Sequence, residues 1–92
     1  MVYLVSYDLH NEKDYDSISA AIESYTAHRR ILESVWIIGT NNKLTTVKNK
    51  LKKVIDENDD LIITEIVSYG GWLSKTHWRA IRKIFSEYGE RS

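Results

Sequence analysis

The chain has no cysteine and no proline, only four glycines, and no excess of either charge: thirteen Lys and Arg balance thirteen Asp and Glu. Without cysteine, neither a disulfide framework nor a thiolate metal site can form. The lack of such staples fits a reducing compartment. No repeat, low-complexity tract or proline-rich linker divides the 92 residues, so they read as one small domain. No apolar run approaches the roughly 20 residues of a membrane span, and the first residues do not read as a signal peptide. A soluble, cytoplasmic protein without a membrane partner is expected. A domain this short is only marginally stable alone, which favours self-association.

Zero net charge makes no case for a nucleic-acid partner, but the signs are separated along the chain. Acids gather at Asp8, Glu12, Asp14 and Asp16 and again at Asp56, Glu57, Asp59 and Asp60; bases gather at Arg29 and Arg30, between Lys43 and Lys53, and between Lys75 and Lys83. Such a chain either carries a basic face or merely solvates its helices with charge.

Several elements are legible. The run Val2 to Leu9 predicts a strand of β-branched and aromatic residues. The polar stretch 10 to 14 reads as a loop, with Asp14 as N-cap of a helix to about His28. Tyr15, Ile18, Ile22 and Tyr25 form its apolar stripe. Residues 30 to 40 are too long for one strand, and Glu33-Ser34 predicts a bend, bulge or tight hairpin. A second helix is expected over 43–57, with Leu44, Val47, Leu51, Val54 and Ile55 on one face. A strand follows over Leu61 to Val67, then a loop with Gly70 and Gly71, then a helix over Ser74 to Tyr88.

The order β-α-β(β)-α-β-α predicts an α+β, ferredoxin-like βαββαβ sandwich over residues 1–67 with an added C-terminal extension over 68–92. Two helices cover one sheet face. Tyr3, Val5, Tyr7, Val35 and Ile37 are candidates for the other. A second subunit or the C-terminal helix must cover it, because an open apolar face is rare in a monomer. A homodimer is therefore expected.

The first strand ends in a carboxylate. Asp8 reads either as a turn residue, bonding the backbone two residues on, or as a site at the strand's C-terminal edge. His10 has a side chain suited to general acid-base work near neutrality, or is simply solvated. Ser34 either positions phosphate or marks the bend. Arg29 and Arg30 either clamp phosphates with His28 or form a basic helix C-terminus. Lys75, Arg79 and Arg82 line one face of the last helix and suit either a nucleic-acid backbone or solvent. His28 and His77 are too isolated for metal ligands. Trp36 reads as core, and Trp72, beside Gly70-Gly71, suits either stacking on a base or, the favoured reading, burial at an interface.

A first strand ending in Tyr7-Asp8, a Tyr-Asp-x-Ile helix start (Tyr15 to Ile18), the strand Ser34-Val-Trp-Ile-Ile and the run Asp59-Asp60-Leu-Ile-Ile together resemble the small CRISPR-associated adaptation endoribonuclease superfamily. The likeness is closest to its SinR-like and VapD-like members and covers about residues 1 to 67. The C-terminal helix with Trp72 and Trp78 departs from that pattern, in which this region is a short strand pairing across a dimer.

The resemblance implies a ferredoxin-like homodimer and a metal-dependent nuclease acting on RNA or DNA phosphodiesters. It implies that the two copies of Asp8 face each other and hold Mg²⁺ or Mn²⁺, with Tyr7, His10 and Ser34 in support. It also offers two other roles: a non-catalytic nucleic-acid-binding or adaptor module working with an integrase partner, and a toxin ribonuclease held in check by an antitoxin.

Overall fold

The computed structural model describes residues 1–10 and 12–89. Seven elements follow one another: β1 (Val2–Asp8), α1 (Glu12–Glu23), β2 (Ala27–Leu32), β3 (Val35–Gly39), α2 (Leu44–Lys52), β4 (Asp60–Glu65) and α3 (Lys75–Tyr88). The strands form one antiparallel sheet in the order β2-β3-β1-β4. This is the ferredoxin-like arrangement, with an added C-terminal helix.

The hairpin expected at Glu33-Ser34 is present, joining β2 to β3. The register shifts between Arg30 and Leu32, a bulge that leaves Leu32 largely exposed. The long segment is thus two strands, and its N-terminal part begins earlier than expected. α1 stops at Glu23, not near His28. Ser24 turns its hydroxyl back onto the Ala21 carbonyl at 2.6 Å, competing with the helical ladder. His28, Arg29 and Arg30 therefore lie on β2 and not at a helix C-terminus.

Three further boundaries differ from expectation. Asp14 is not an N-cap but lies in the first turn of α1, where its charge complements the helix dipole. α2 ends at Lys52, short of residue 57. The loop expected over 10–14 shrinks because α1 begins at Glu12; Asn11 lies outside the described residues, as do residues 90–92 of the extension.

α1 and α2 pack on one sheet face. Tyr3, Val5, Ile18, Ile22, Ile38, Val47 and Leu51 are all fully buried there, with Tyr7, Tyr25 and Trp36 nearly so. Burying each aliphatic side chain contributes about 1.5–3 kcal/mol. Tyr3, Val5 and Tyr7 were expected on the opposite face; the pleat places them here, because odd-numbered residues of β1 point toward the helices. Val35 and Ile37 do lie on the second face.

The second face is covered by α3 from the same chain. Ile81 and Ile84 pack against Val2, Ala27, Ile31 and Ile37. Ser74 caps this helix, its hydroxyl accepting from the His77 amide at 3.3 Å. At the other end Tyr88 sits on Gly39, where a Cβ would stand 2.5 Å from the ring.

Candidate metal and nucleic-acid site

Asp8 closes β1 and is exposed. Alternation puts its side chain on the second face, with Leu4 and Ser6. Its partner across the antiparallel pair is Asp60, the first residue of β4. Two carboxylates directly opposite one another repel, and a hard cation that accepts carboxylate oxygens relieves that repulsion. The donor set therefore suits a divalent ion of the Mg²⁺ type. Asp60 was not picked out as a ligand in the sequence, where it reads as one of an acidic cluster and as part of the Asp59-Asp60-Leu-Ile-Ile run. The register would have revealed it: once β1 and β4 are paired through Val5 and Ile63, Asp60 must face Asp8.

A second acidic group lies close by. Asp14, Asp56 and Asp59 bring their ligand atoms within 4.8 Å of one another. Both oxygens of Asp59 accept backbone hydrogen bonds: Oδ1 from the His10 amide and Oδ2 from the Asp56 amide, each at 2.8 Å. These two bonds hold its carboxyl below the usual carboxylate range. Asp14 is pushed the other way, first by desolvation and then by the neighbouring Asp59 and Asp56 carboxyls. Its Oδ2 is buried and has no hydrogen-bond partner among the described residues. The work Asp59 does is structural. It ties the segment after β1 to the turn before β4, which sets Asp8 and Asp60 side by side.

The other sequence candidates divide between the two faces. Ser34 lies in the hairpin turn, and its carbonyl accepts from the Tyr7 amide at 3.2 Å, so it shares the sheet end with Asp8. His10 is exposed two residues beyond Asp8, its backbone anchored by Asp59. Tyr7 points into the helix-covered core, where its hydroxyl accepts from Trp36 Nε1 at 3.0 Å. Its side chain is thus on the opposite face from Asp8.

Arg29 and Arg30 are also separated by the pleat. Arg29 Nε donates to His77 Nδ1 at 3.1 Å, linking β2 to α3 on the second face and fixing that ring's other nitrogen as the N–H. Arg30 lies on the first face, its guanidinium 4.9 Å from the Trp36 ring centroid and donating to Ser19 at 3.1 Å. Consecutive arginines therefore make no single clamp. Lys75, Arg79 and Arg82 are exposed on α3. With Arg29, they place the basic side chains of this region on the same side of the sheet as Asp8.

Comparison with known proteins agrees with the fold. The family model described as CRISPR associated protein Cas2 matches residues 1–72. Among solved structures, Streptococcus pyogenes Cas2 at pH 6.5 superposes with a TM-score of 0.57 and 23% identity, covering 91% of this chain and 95% of that one. A hypothetical protein, TT1823 from Thermus thermophilus, superposes with a TM-score of 0.57 and 20% identity, covering 79% of this chain and 96% of the other. At these identities the superpositions show the shared fold.

Proposed function

Because this chain belongs to the Cas2 family of CRISPR-associated proteins, we propose that it acts as a dimeric, metal-dependent nuclease on RNA or DNA phosphodiesters, with Asp8 as the central ligand. The observation that carries this reading is the exposed Asp8–Asp60 pair at the sheet end, on the same face as the basic α3. Asp8 and Asp60 would hold Mg²⁺ or Mn²⁺. Such an ion, when bound, polarises a phosphoryl oxygen and lowers the pKa of an attacking water. The protein's own side chains supply the rest. Lys75, Arg79 and Arg82 hold the phosphate backbone without reading sequence. Ser34 orients the phosphate from the hairpin turn, and the exposed His10 ring takes or gives the proton. Tyr7 acts from the core side, bracing the end of β1 through Trp36.

Wild type and Asp8→Ala are compared on labelled single-stranded RNA and double-stranded DNA, with Mg²⁺, Mn²⁺ or chelator. Metal-dependent cleavage is expected in the wild type, falling roughly 10- to 100-fold or more in the variant with the circular dichroism spectrum unchanged. Equal cleavage by both proteins would refute a ligand role for Asp8.

A non-catalytic, nucleic-acid-binding reading has one observation of its own. The basic α3 lies wholly beyond residues 1–72, the part matched by the family model. Under that reading Asp8→Ala leaves binding intact. Replacing Arg79 and Arg82 together by Ala lowers affinity and reduces the salt slope by about 2.

A further inference from the structure

On the second face an open groove of about 820 Å³ beside α3 has Leu4 on its floor. Farther along the same strand the sheet ends in the Asp8–Asp60 pair, the last pair of the β1–β4 ladder among the described residues. Opposed carboxylates repel, and here no further ladder pair follows to hold them together. The restraint has to come from the chain just beyond Asp8.

That chain is pinned from several sides. The Leu9 side chain is 7% exposed and lies in the core under α1 and α2. The Leu9 amide donates to the Tyr15 hydroxyl, and that hydroxyl donates to the Leu9 carbonyl, each at 3.4 Å. Both bonds are long, but together they fasten both polar groups of one residue to a side chain on α1. The Tyr15 ring is itself set against the Tyr7 ring, with centroids 5.9 Å apart, and the Tyr7 hydroxyl accepts from Trp36 Nε1. A line of contacts therefore runs from the middle of the sheet to the residue after Asp8. On the other side the His10 amide donates to Asp59 Oδ1 at 2.8 Å, while Asp59 Oδ2 holds the Asp56 amide.

We propose that Tyr15 and Asp59 are positioning residues of the metal site: they clamp residues 9 and 10 between α1 and the turn before β4, and so hold Asp8 against Asp60 before an ion binds. The inference rests on the metal reading above and deepens it by naming the groups that keep the ligands in place. Ligands work only when their supporting contacts hold them in position. Without the clamp the two carboxylates relieve their repulsion by swinging apart, and ion binding then includes the cost of bringing them together again. The loss falls on metal affinity, because the arrangement is restored once the site is filled. Tyr25 provides the contrast. Its side chain is 6% exposed and its hydroxyl has no hydrogen-bond partner among the described residues, so removing that hydroxyl leaves the sheet end untouched.

The test compares wild type, Tyr15→Phe, Asp59→Asn, Tyr25→Phe and Asp8→Ala, with far-ultraviolet circular dichroism as the fold control. Mn²⁺ binding is titrated by electron paramagnetic resonance of the free ion, and cleavage of labelled RNA and DNA is followed against Mn²⁺ concentration. Tyr15→Phe and Asp59→Asn should each raise the Mn²⁺ dissociation constant roughly 10- to 100-fold. The Mn²⁺ concentration for half-maximal cleavage should rise in proportion, while the rate at saturating Mn²⁺ returns close to that of wild type. A general loosening of the fold lowers the saturating rate and does not give this split. Tyr25→Phe should match wild type in both measurements, and Asp8→Ala should lose the site at any Mn²⁺ concentration. Wild-type affinity in either Tyr15→Phe or Asp59→Asn overturns the clamp and leaves the Asp8 site standing. A Mn²⁺ affinity that Asp8→Ala leaves unchanged overturns the metal reading, and the clamp with it.

Discussion

The two faces of the sheet are covered in different ways. On the first face two helices, α1 and α2, enclose a continuous core in which Tyr3, Val5, Ile18, Ile22, Ile38, Val47 and Leu51 are sealed from water. On the second face one helix, α3, packs on β1, β2 and β3. Its core is smaller, Leu4 lies half-buried at a groove floor, and Ile62 stays open. α3 leaves the β4 edge and the hairpin end of the face open. The unshielded remainder carries the carboxylate pair, the groove and the exposed indole. The same sheet thus has one sealed face and one that is partly open.

That difference sets the size of the effects expected on perturbing each face. The largest is in the sealed core. Ile38→Ala should cost about 3–5 kcal/mol, because the enclosed site cannot collapse around the lost atoms. Ile81→Ala should cost less, about 2–3 kcal/mol, because its site borders the open groove and readjusts. Urea denaturation of both variants measures the gap, and equal losses would show the two faces to be equally rigid.

Next comes the seam between α3 and the sheet. Gly39→Ala drives a Cβ into Tyr88 at 2.5 Å and Ile84 at 3.0 Å. The end of α3 has to lift, at a cost of about 1–3 kcal/mol. The change should appear as faster amide exchange in α3 with α1 and α2 unaffected. The glycine is needed for this close approach alone, since no residue described has a positive φ.

The smallest effect concerns the acidic knot that supports the working face. The carboxyl of Asp14 is held above its usual range, so the folded chain resists its ionisation and loses stability as pH rises past about 4. Asp14→Asn removes that loss. Its melting temperature relative to wild type should therefore climb from acid toward neutral pH and then level off. Asp59 behaves in the opposite sense. Its lowered pKa contributes stability that is present above the unfolded value and is lost as pH falls through the folded one. Asp59→Asn should melt earlier than wild type at neutral pH, with the difference fading in acid. A pH-independent difference in both variants would contradict the assignment of charge within the knot.

Much of the fold was legible in short-range pattern. The 3.6-residue stripe of Ile18 and Ile22, the β-branched runs and the break at Glu33-Ser34 are local signals, and each led to the element found. The ends of α1 and α2 were less legible, because competing side-chain bonds such as that of Ser24 act within a single turn. Of the site, Asp8 stood out as a carboxylate closing an apolar strand. Asp60 did not, because it sits among other acids in the chain and only the pairing of β1 with β4 sets it against Asp8.

The sequence by itself determined the kinds of elements, their order and the candidate ligand Asp8, since these follow from residue preference and periodicity along the chain. Tertiary structure alone decided which groups meet. Strand register set Asp60 against Asp8, and the pleat sent Arg29 and Arg30 to opposite faces and turned Tyr7 into the core. The packing of α3 on its own sheet left part of the second face open, with Trp72 exposed beside it. These outcomes depend on contacts between residues far apart in the chain, whose register and facing are fixed only when the whole sheet assembles.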